Sequence, residues 1–209
     1  MPLILDRFLL WGDQPHPSHS VEPREEAHQD LFKMPSLTLT FDRTRGLHIH
    51  LDAPWFCNPP PPSPSGSLWG LWEYEVFELF ILGDEGRYLE IEFGPYGHFL
   101  VLELSGPREI SRKDLTLNEL NIERVSDLSS ARMMWSVEAN VPLDLLPEAI
   151  DVEGVPHWGL NAFWCFDKEN ERKYWNAFPL PGDQPNFHQP DHFPLCSLNS
   201  LMQASRKDH

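Results

Sequence analysis

The chain has 209 residues, of which 32 are acidic and 16 basic, so its formal net charge is −16. A surface this acidic repels phosphate backbones and anionic lipids, which argues against nucleic acid or a membrane surface as a partner. Hydrophobic residues make up 41% of the chain and aromatic residues 12%, enough apolar area to bury a folded core without disulfides.

The cysteines and the N-terminus indicate the compartment. Cys57, Cys165 and Cys196 are odd in number and widely spaced, which predicts reduced thiols and neither disulfides nor a zinc site. The run MPLILDRFLLWGD has no basic leader and is interrupted by Asp6 and Arg7, so it is not predicted to be a signal peptide. No apolar run reaches membrane-spanning length. These features predict a cytoplasmic protein.

Alternation of apolar and polar residues predicts a succession of short strands. About nine such strands with turns between them are typical of an antiparallel β-sandwich, of jelly-roll or immunoglobulin-like layout. The sandwich domain is predicted over 36–201, after a partly irregular N-terminal segment, 1–35, and before a flexible tail, 202–209. The predicted strands lie at 36–42, 46–52, 72–82, 87–94, 98–104, 120–125, 133–142, 160–167 and 173–178.

Two proline-rich stretches predict long surface loops. NPPPPSPSGS at 58–67 is incompatible with a strand or a helix. In PNFHQPDHF at 185–193, the prolines preclude the regular helix that a zinc site made of His188 and its neighbours would need. We therefore expect no metal site here. Instead, Phe187 and Phe193 are expected to pack on the sandwich edge, and His188 to bridge backbone groups or a buried carboxylate such as Glu78.

The run WEYEVFELFIL at 72–82 concentrates acidic and aromatic residues. If it is a strand, Glu78 lies on an apolar face, where a carboxylate is costly unless it is paired or hydrogen-bonded. Glu78 is then either a structural carboxylate or a ligand-binding one.

Four other carboxylates meet on one face if the register allows. Glu73 and Glu75 would lie beside Glu90 and Glu92 of the next predicted strand. Such a patch repels itself unless it is solvated or holds a cation or a hydroxyl-rich ligand. This pattern makes Glu75, Glu90 and Glu92 candidate ligand-binding residues.

Tryptophans next to carboxylate and amide side chains are typical of sugar sites. Aromatic faces stack on the C–H surfaces of a sugar, and polar groups fix its hydroxyls. Trp72, Trp175 and Asn161 are therefore candidate ligand-binding residues. The alternative is that each tryptophan belongs to the sandwich core. The tryptophans weighed for this role are Trp69, Trp72, Trp158, Trp164 and Trp175.

Signatures of common enzymes are missing from the sequence. It has no G-x-S-x-G, no H-E-x-x-H, no phosphate loop and no dinucleotide fingerprint. The paired carboxylates leave open a carboxylate-based hydrolase that would use Glu73, Glu75 or Glu78. No catalytic residue is predicted, and the protein is expected not to be an enzyme.

Three parts of the sequence carry a family resemblance: WEYEVFELFILGDEGRYLEIEFGPYGHFLVLELSG, APWFCNPPPP and PNFHQPDHF…SLNSL. Together they resemble an uncharacterised vertebrate family named for a chromosome-4 open reading frame. More distantly, the chain is similar to family-9 carbohydrate-binding modules and to DOMON-like sandwiches that bind haem or sugar. The resemblance to sugar binders implies a sugar held between two tryptophans, with Trp175 as one and Trp72 or Trp69 as the other. Sugar binders often carry arginine or asparagine where this chain has Glu90 and Glu92.

These observations predict a non-catalytic carbohydrate-binding-like module whose partner is a small carbohydrate or polyol. The first alternative is a haem-binding DOMON-like domain, in which Met133, Met134 and His98 are the available iron ligands. The second is the carboxylate-based hydrolase. No cofactor is expected for the leading hypothesis, and haem or a calcium ion is the alternative.

Overall fold

The computed structural model describes residues 3–7, 9–10, 34–127 and 132–202. Of the described residues, 54% are in strands and 8% in helical turns. The strands form two sheets that pack face to face across a hydrophobic core. The all-β class and the sandwich architecture predicted from the sequence are confirmed.

Fifteen strands are numbered here in chain order. They are β1 (Leu3–Leu5), β2 (Leu9–Leu10), β3 (Ser36–Asp42), β4 (Gly46–Pro54), β5 (Gly66–Ser67), β6 (Val76–Leu82), β7 (Tyr88–Phe93), β8 (His98–Gly106), β9 (Glu109–Arg112), β10 (Asn118–Asp127), β11 (Arg132–Val141), β12 (Ile150–Val152), β13 (Val155–Lys168), β14 (Glu171–Asn176) and β15 (Leu195–Ser197).

The smaller sheet has the strand order β1-β3-β4-β11-β10. The larger sheet follows the path β2-β14-β13-β6-β7-β8-β5, and β12 and β15 pair with β13 while β9 pairs with β8. Neighbouring strands are antiparallel except for the short parallel pairing of β5 with β8. The two N-terminal strands lie at one edge of each sheet, since β1 pairs with β3 and β2 pairs with β14.

Helical structure is confined to single turns among the described residues. Three 3-10 turns lie at Leu71–Glu73, Asp84–Gly86 and Pro190–His192, and one short α-helix, α1, spans Leu198–Leu201. Within the described ranges, no helix is long and apolar enough to cross a membrane.

Local sequence explains the hairpins. In β4, Leu47, Ile49 and Leu51 are fully buried because they alternate with His48 and His50, which point away from the core. The turn between β13 and β14 has two residues, Glu169 and Asn170, with φ of 56° and 62°. Positive φ at both positions is the geometry of the type I′ turn, whose twist matches antiparallel strands.

The larger sheet is buried on both faces. Its inner face packs on the smaller sheet, and the inner residues of β6 and β7, including Phe77, Leu79 and Ile91, belong to that core. Its outer face carries a second apolar cluster that includes Phe80, Tyr88 and Phe163, packed beneath loops. The outer face of this sheet is therefore also covered, and a ligand-binding site can form between the sheet and these loops.

The start of the predicted strand 72–82 is wrong. Residues Leu71–Glu73 form a 3-10 turn that follows Gly70 in the left-handed region, at φ 85°, and β6 begins only at Val76. The cause is that the carbonyls of Trp72 and Tyr74 accept hydrogen bonds from the Arg172 side chain, at 2.8 and 2.6 Å. Trp72 thus lies in a turn and not on a strand face.

The predicted domain boundaries stay predictions. Residues 11–33, which make up most of the predicted N-terminal segment, and residues 203–209 of the predicted tail lie outside the described residues.

Candidate functional site

A cavity of about 600 Å³ opens on the outer face of the larger sheet. Strands β6, β7 and β13 supply its floor, with Glu78, Glu90 and Cys165 among the lining residues. Its walls are the segment that holds Trp69 and Trp72 on one side and the loop at 184–188 on the other. The cavity is therefore built by the regular sheet below and by two irregular segments above.

Register brings three carboxyl groups together beneath this cavity. Glu78 of β6 is directly opposite Glu92 of β7, and Glu90 lies two residues away on the same face of β7. Directly opposed side chains have Cβ atoms about 4.5–5.5 Å apart, so like charges there repel. We call Glu78, Glu90 and Glu92 the carboxyl triad.

The triad corrects one sequence-based grouping. Glu73 and Glu75 were expected beside Glu90 and Glu92, but β6 begins after them, and Glu78 occupies the neighbouring position. The alternative of a solvated acidic face holds for Glu73, which is exposed, but is wrong for Glu75, Glu90 and Glu92, which are buried. Glu78, Glu90 and Glu92 are 3%, 4% and 0% exposed.

The triad is poorly supplied with hydrogen bonds. Among the described residues, no other group donates to either oxygen of Glu92 or to Oε2 of Glu90. Within that part of the chain, Glu90 and Glu92 can hydrogen-bond only to each other, when one of them holds a proton. Glu78 Oε1 accepts only a long contact from Cys165 Sγ, at 3.9 Å. Buried carboxylates without donors are costly to ionise. These groups are therefore held toward their neutral form.

The pKa values follow from this burial. Burial raises the pKa of Glu90 to about 7. Burial, together with the charge of Glu90, raises the pKa of Glu78 well above its usual value. Burial and the neighbouring carboxylates do the same for the pKa of Glu92. At neutral pH Glu78 and Glu92 thus favour their protonated forms and Glu90 is about half ionised, and the positive charge of a ligand would favour further ionisation.

Two tryptophans form the aromatic rim of the cavity. Trp69 is 57% exposed and Trp72 38% exposed. Their ring centroids are 5.0 Å apart and their planes meet at 83°, an edge-to-face pair. The Lys113 ammonium lies 5.8 Å from the Trp69 ring centroid. The rim offers exposed aromatic faces that a flat apolar surface of a ligand can cover.

Arg172 fixes the position of the rim. Its guanidinium donates to the backbone carbonyls of Trp72 and Tyr74 and pairs with Asp167 at 3.3 Å. It also lies 6.0 Å from the ring centroid of Tyr174, which lines the cavity. A planar five-donor group is suited to hold two carbonyls and a carboxylate at once. Arg172 is a positioning residue for the aromatic rim.

The opposite wall is the closing loop that contains His188. His188 Nδ1 lies 2.7 Å from the Tyr88 hydroxyl, which also accepts a hydrogen bond from the Arg108 backbone N–H. The partner of His188 is therefore this hydroxyl and not the Glu78 carboxylate. Burial lowers the pKa of His188 to about 4, so it is neutral at pH 7.

The aromatic anchors of the closing loop cover the sheet face. The Phe187 ring stacks on Phe163, with centroids 4.0 Å apart. Phe193 is buried, and its centroid is 5.9 Å from that of Phe80. The expected packing of both phenylalanines is found, but on the outer face of the larger sheet and not at a sandwich edge.

Two predicted site residues have structural partners away from this cavity. Glu75 accepts hydrogen bonds from the backbone N–H groups of Phe56 and Asn58, at 2.9 and 3.3 Å. Burial nevertheless raises the pKa of Glu75 to about 7. Asn161 is fully buried, and its side chain both donates to the Phe178 carbonyl and accepts from the Phe178 N–H. Neither residue lines the cavity.

Trp175 also lies away from the cavity. It is opposite Trp164 in the β13–β14 register, and it packs against the core between the two sheets. Tyr174, one residue earlier, therefore takes the outer face and lines the cavity. The structure brings together Trp72 and Glu90, places Glu92 directly beneath them, and pairs Trp72 with Trp69 where Trp175 was expected.

The residues considered for haem do not meet at this cavity. Met133 and Met134 are in β11 of the smaller sheet, whereas His98 is in β8 of the larger sheet, with Nε2 3.0 Å from the Ser63 carbonyl oxygen. Among the residues that the structure describes, no group of three or more His, Cys, Asp or Glu side chains is arranged to hold a metal ion.

Sequence reasoning did not consider Tyr174, and it weighed Glu78 and Trp69 without including them among the candidate ligand-binding residues. Glu78 carried a usable signal, because a carboxylate among apolar residues at alternate positions is unusual on a strand. For Trp69 and Tyr174, the decisive information is which sheet face and which turn they occupy. That depends on pairing with distant strands.

The fold and the site together define a β-sandwich with a covered, aromatic-rimmed and carboxyl-floored cavity on one sheet. A solved structure with the same fold is a candidate carbohydrate-binding protein from Bacteroides uniformis, 19% identical, with a TM-score of 0.56 and 78% of each chain covered. A family-9 carbohydrate-binding module from Caldicellulosiruptor kristjanssonii, in complex with cellotriose, is 16% identical, with a TM-score of 0.38. The match covers 78% of this chain and 73% of that module's chain.

Sequence relatives establish the family. The chain is 32% identical over 167 residues to the UPF0462 protein C4orf33 homolog of Rattus norvegicus, covering 76% of this chain and 77% of the rat protein. It is 30% identical over 167 residues to UPF0462 protein C4orf33 of Homo sapiens, with the same shares covered. No family model matches the chain. The chain belongs to the UPF0462 family, as the sequence motifs predicted.

Proposed function

We propose that this protein is a non-catalytic carbohydrate-binding module, and that its sugar or polyol ligand binds in the cavity between the aromatic rim and the carboxyl triad. The observation that carries this proposal is the exposed pair Trp69 and Trp72 above a buried polar floor. Sugar sites combine an aromatic face with a few fixed polar groups in this way.

The size and composition of the cavity support a small ligand. Its volume of about 600 Å³ falls within the range of small-molecule sites, about 300–1,000 Å³. Its lining mixes aromatic and apolar side chains with carboxyl, hydroxyl and imidazole groups. The Bacteroides uniformis protein, which shares the fold, is named as a candidate carbohydrate-binding protein.

The electrostatics of the triad favour binding over hydrolysis. Carboxylate-based glycosidases need one protonated and one ionised carboxyl, whose environments push their pKa values apart. Here Glu78, Glu90 and Glu92 all have raised pKa values for the same reason, burial. The three carboxyls are thus not pushed apart into one firmly ionised and one protonated group, which favours binding over hydrolysis.

The test is calorimetric titration of the protein with mono- and oligosaccharides, guided by a glycan array. Trp72→Ala is expected to weaken binding of the selected sugar by about 10- to 100-fold, as loss of an aromatic stacking platform does. Leu195→Ala, which also truncates an exposed apolar side chain but lies outside the cavity, is the matched control and should bind normally.

Two outcomes would contradict the proposal. One is the absence of binding to any sugar at millimolar concentration. The other is a sugar whose affinity is unchanged in Trp72→Ala but lost in Trp175→Phe, because that result would move the site to the opposite sheet face.

A further inference from the structure

Resting on the proposed function, we propose that the ligand carries a protonated amine, as an amino sugar does, and that the ammonium group binds between the aromatic rim and the buried carboxyls of Glu78 and Glu90. The triad then supplies the charge, and the tryptophans supply the face for the sugar ring. The inference concerns the class of sugar and not the location of the site.

The geometry of the floor favours a donor-rich cation. Glu90 is 4% exposed and lines the cavity. Its Oε2 receives no hydrogen bond from any described residue other than the neighbouring carboxyl of Glu92. An ammonium group brings three donors and one positive charge, whereas a sugar hydroxyl brings one donor and no charge. Cations also bind favourably over tryptophan faces within about 6 Å, and Trp69 and Trp72 border the same space.

The protein's own cations are committed elsewhere. Arg172 uses its donors on two backbone carbonyls and on Asp167. Its positive charge lowers the pKa of Glu78, but burial outweighs that effect. Arg108 lines the cavity and donates to the Asn186 side chain at 3.1 Å. Lys113 lies at the rim, 5.8 Å from the Trp69 ring centroid. Among the described residues none of these cations forms an ion pair with a triad carboxyl, so the triad is open to a cationic group of a ligand.

The other titratable groups around the floor do not provide charge at neutral pH. On β7, burial raises the pKa of Tyr88 to about 12, and on β13 it raises the pKa of Cys165. His188 of the closing loop is neutral, since burial lowers its pKa to about 4.

Binding of the amine is linked to loss of a proton. When the ammonium group arrives, one carboxylic acid ionises and releases its proton to solvent, and the resulting carboxylate pairs with the ammonium, which keeps its three protons. Affinity therefore rises with pH, by up to about tenfold per pH unit while one proton is released. The amine of the probe must stay protonated, which limits the useful range to about pH 5–7.

The experiment compares D-glucosamine and its β-1,4-linked trimer with D-glucose and N-acetylglucosamine by calorimetry. Titrations at pH 5, 6 and 7, in buffers of different ionisation enthalpy, measure affinity and the number of protons released. The amine sugars should bind at least about tenfold more tightly than the neutral sugars at pH 7, with release of about one proton.

Glu90→Gln should lower the affinity for glucosamine by about 10- to 100-fold and leave glucose within about threefold. Glu73→Gln removes an exposed carboxylate beside the rim and is the matched control for net charge. If Glu90→Gln fails to fold, the proton release and the pH dependence of glucosamine affinity in the natural protein still test whether a buried carboxyl binds the amine.

Equal affinity for glucosamine and glucose, or amine binding without proton release, overturns the amine inference and leaves sugar binding in place. If none of the four binds but the glycan array selects another, neutral sugar, the amine inference alone is overturned. Absence of binding to every sugar tested overturns both.

Discussion

Replacing Glu90 by glutamine should make the protein more stable at pH 8 than the natural chain, although it hardly changes stability at pH 5. In the unfolded chain a glutamate ionises near pH 4.3, whereas burial holds the pKa of Glu90 in the folded protein at about 7. Between these values unfolding releases a proton, so the free energy of unfolding of the natural protein falls as pH rises. Glutamine has the same shape and no such proton.

The magnitude follows from the gap between the two pKa values. Each pH unit within the window costs about 1.4 kcal/mol, so the gap of about 2.7 units corresponds to about 4 kcal/mol by pH 8. The advantage of Glu90→Gln over the natural protein should grow between pH 5 and 7 and then level off. Relief of repulsion on Glu78 and Glu92 acts in the same direction.

Urea denaturation at pH 5, 6, 7 and 8 measures the free energy of unfolding of the natural protein and of Glu90→Gln, with Glu73→Gln, at an exposed position, as a control. A constant difference in the free energy of unfolding between the natural protein and Glu90→Gln at all four pH values would refute the reasoning. It would mean that Glu90 ionises normally in the folded state.

Three further substitutions separate structural from binding roles. His188→Ala should lower the free energy of unfolding by about 1–3 kcal/mol, because it removes a partner of the Tyr88 hydroxyl; unchanged urea stability would contradict this. Asn161→Ala should cost about 2–4 kcal/mol, because its side chain satisfies three backbone groups, with ligand affinity retained in the folded protein. Arg172→Met should weaken sugar binding by about tenfold in calorimetry without abolishing folding, because it releases the turn that carries Trp72. Sugar affinity equal to that of the natural protein would show that Arg172 does not position the rim.

Period-two patterns predicted most of the strands correctly. In 87–94 the alternation placed Leu89, Ile91 and Phe93 on one face and Glu90 and Glu92 on the other, and β7 has that arrangement. Such strands are predictable because side chains alternate between the two faces whatever the partner strand is.

The candidate site was predictable only in part, because register is a property of strand pairs. The sequence showed that Glu78 lay among apolar residues, but not that it would stand opposite Glu92. A shift of one residue moves a side chain to the other face of the sheet. This is also why Trp175 was expected at the cavity, whereas Tyr174 occupies that face.

The turn at Leu71–Glu73 depends on a contact that local sequence does not contain. Its carbonyls are held by Arg172, about a hundred positions later in the chain. Without that contact, the run beginning at Trp72 reads as a continuous strand. Tertiary context overrides local propensity in this way at many sites.

A crystal structure of the protein with the sugar that calorimetry selects tests the proposed site most directly. The sugar ring is expected to contact Trp69 and Trp72, with one of its polar groups within hydrogen-bond distance of Glu90. A sugar bound against Trp175, or on the polar face of the smaller sheet near His48, with the cavity containing only water, would contradict it.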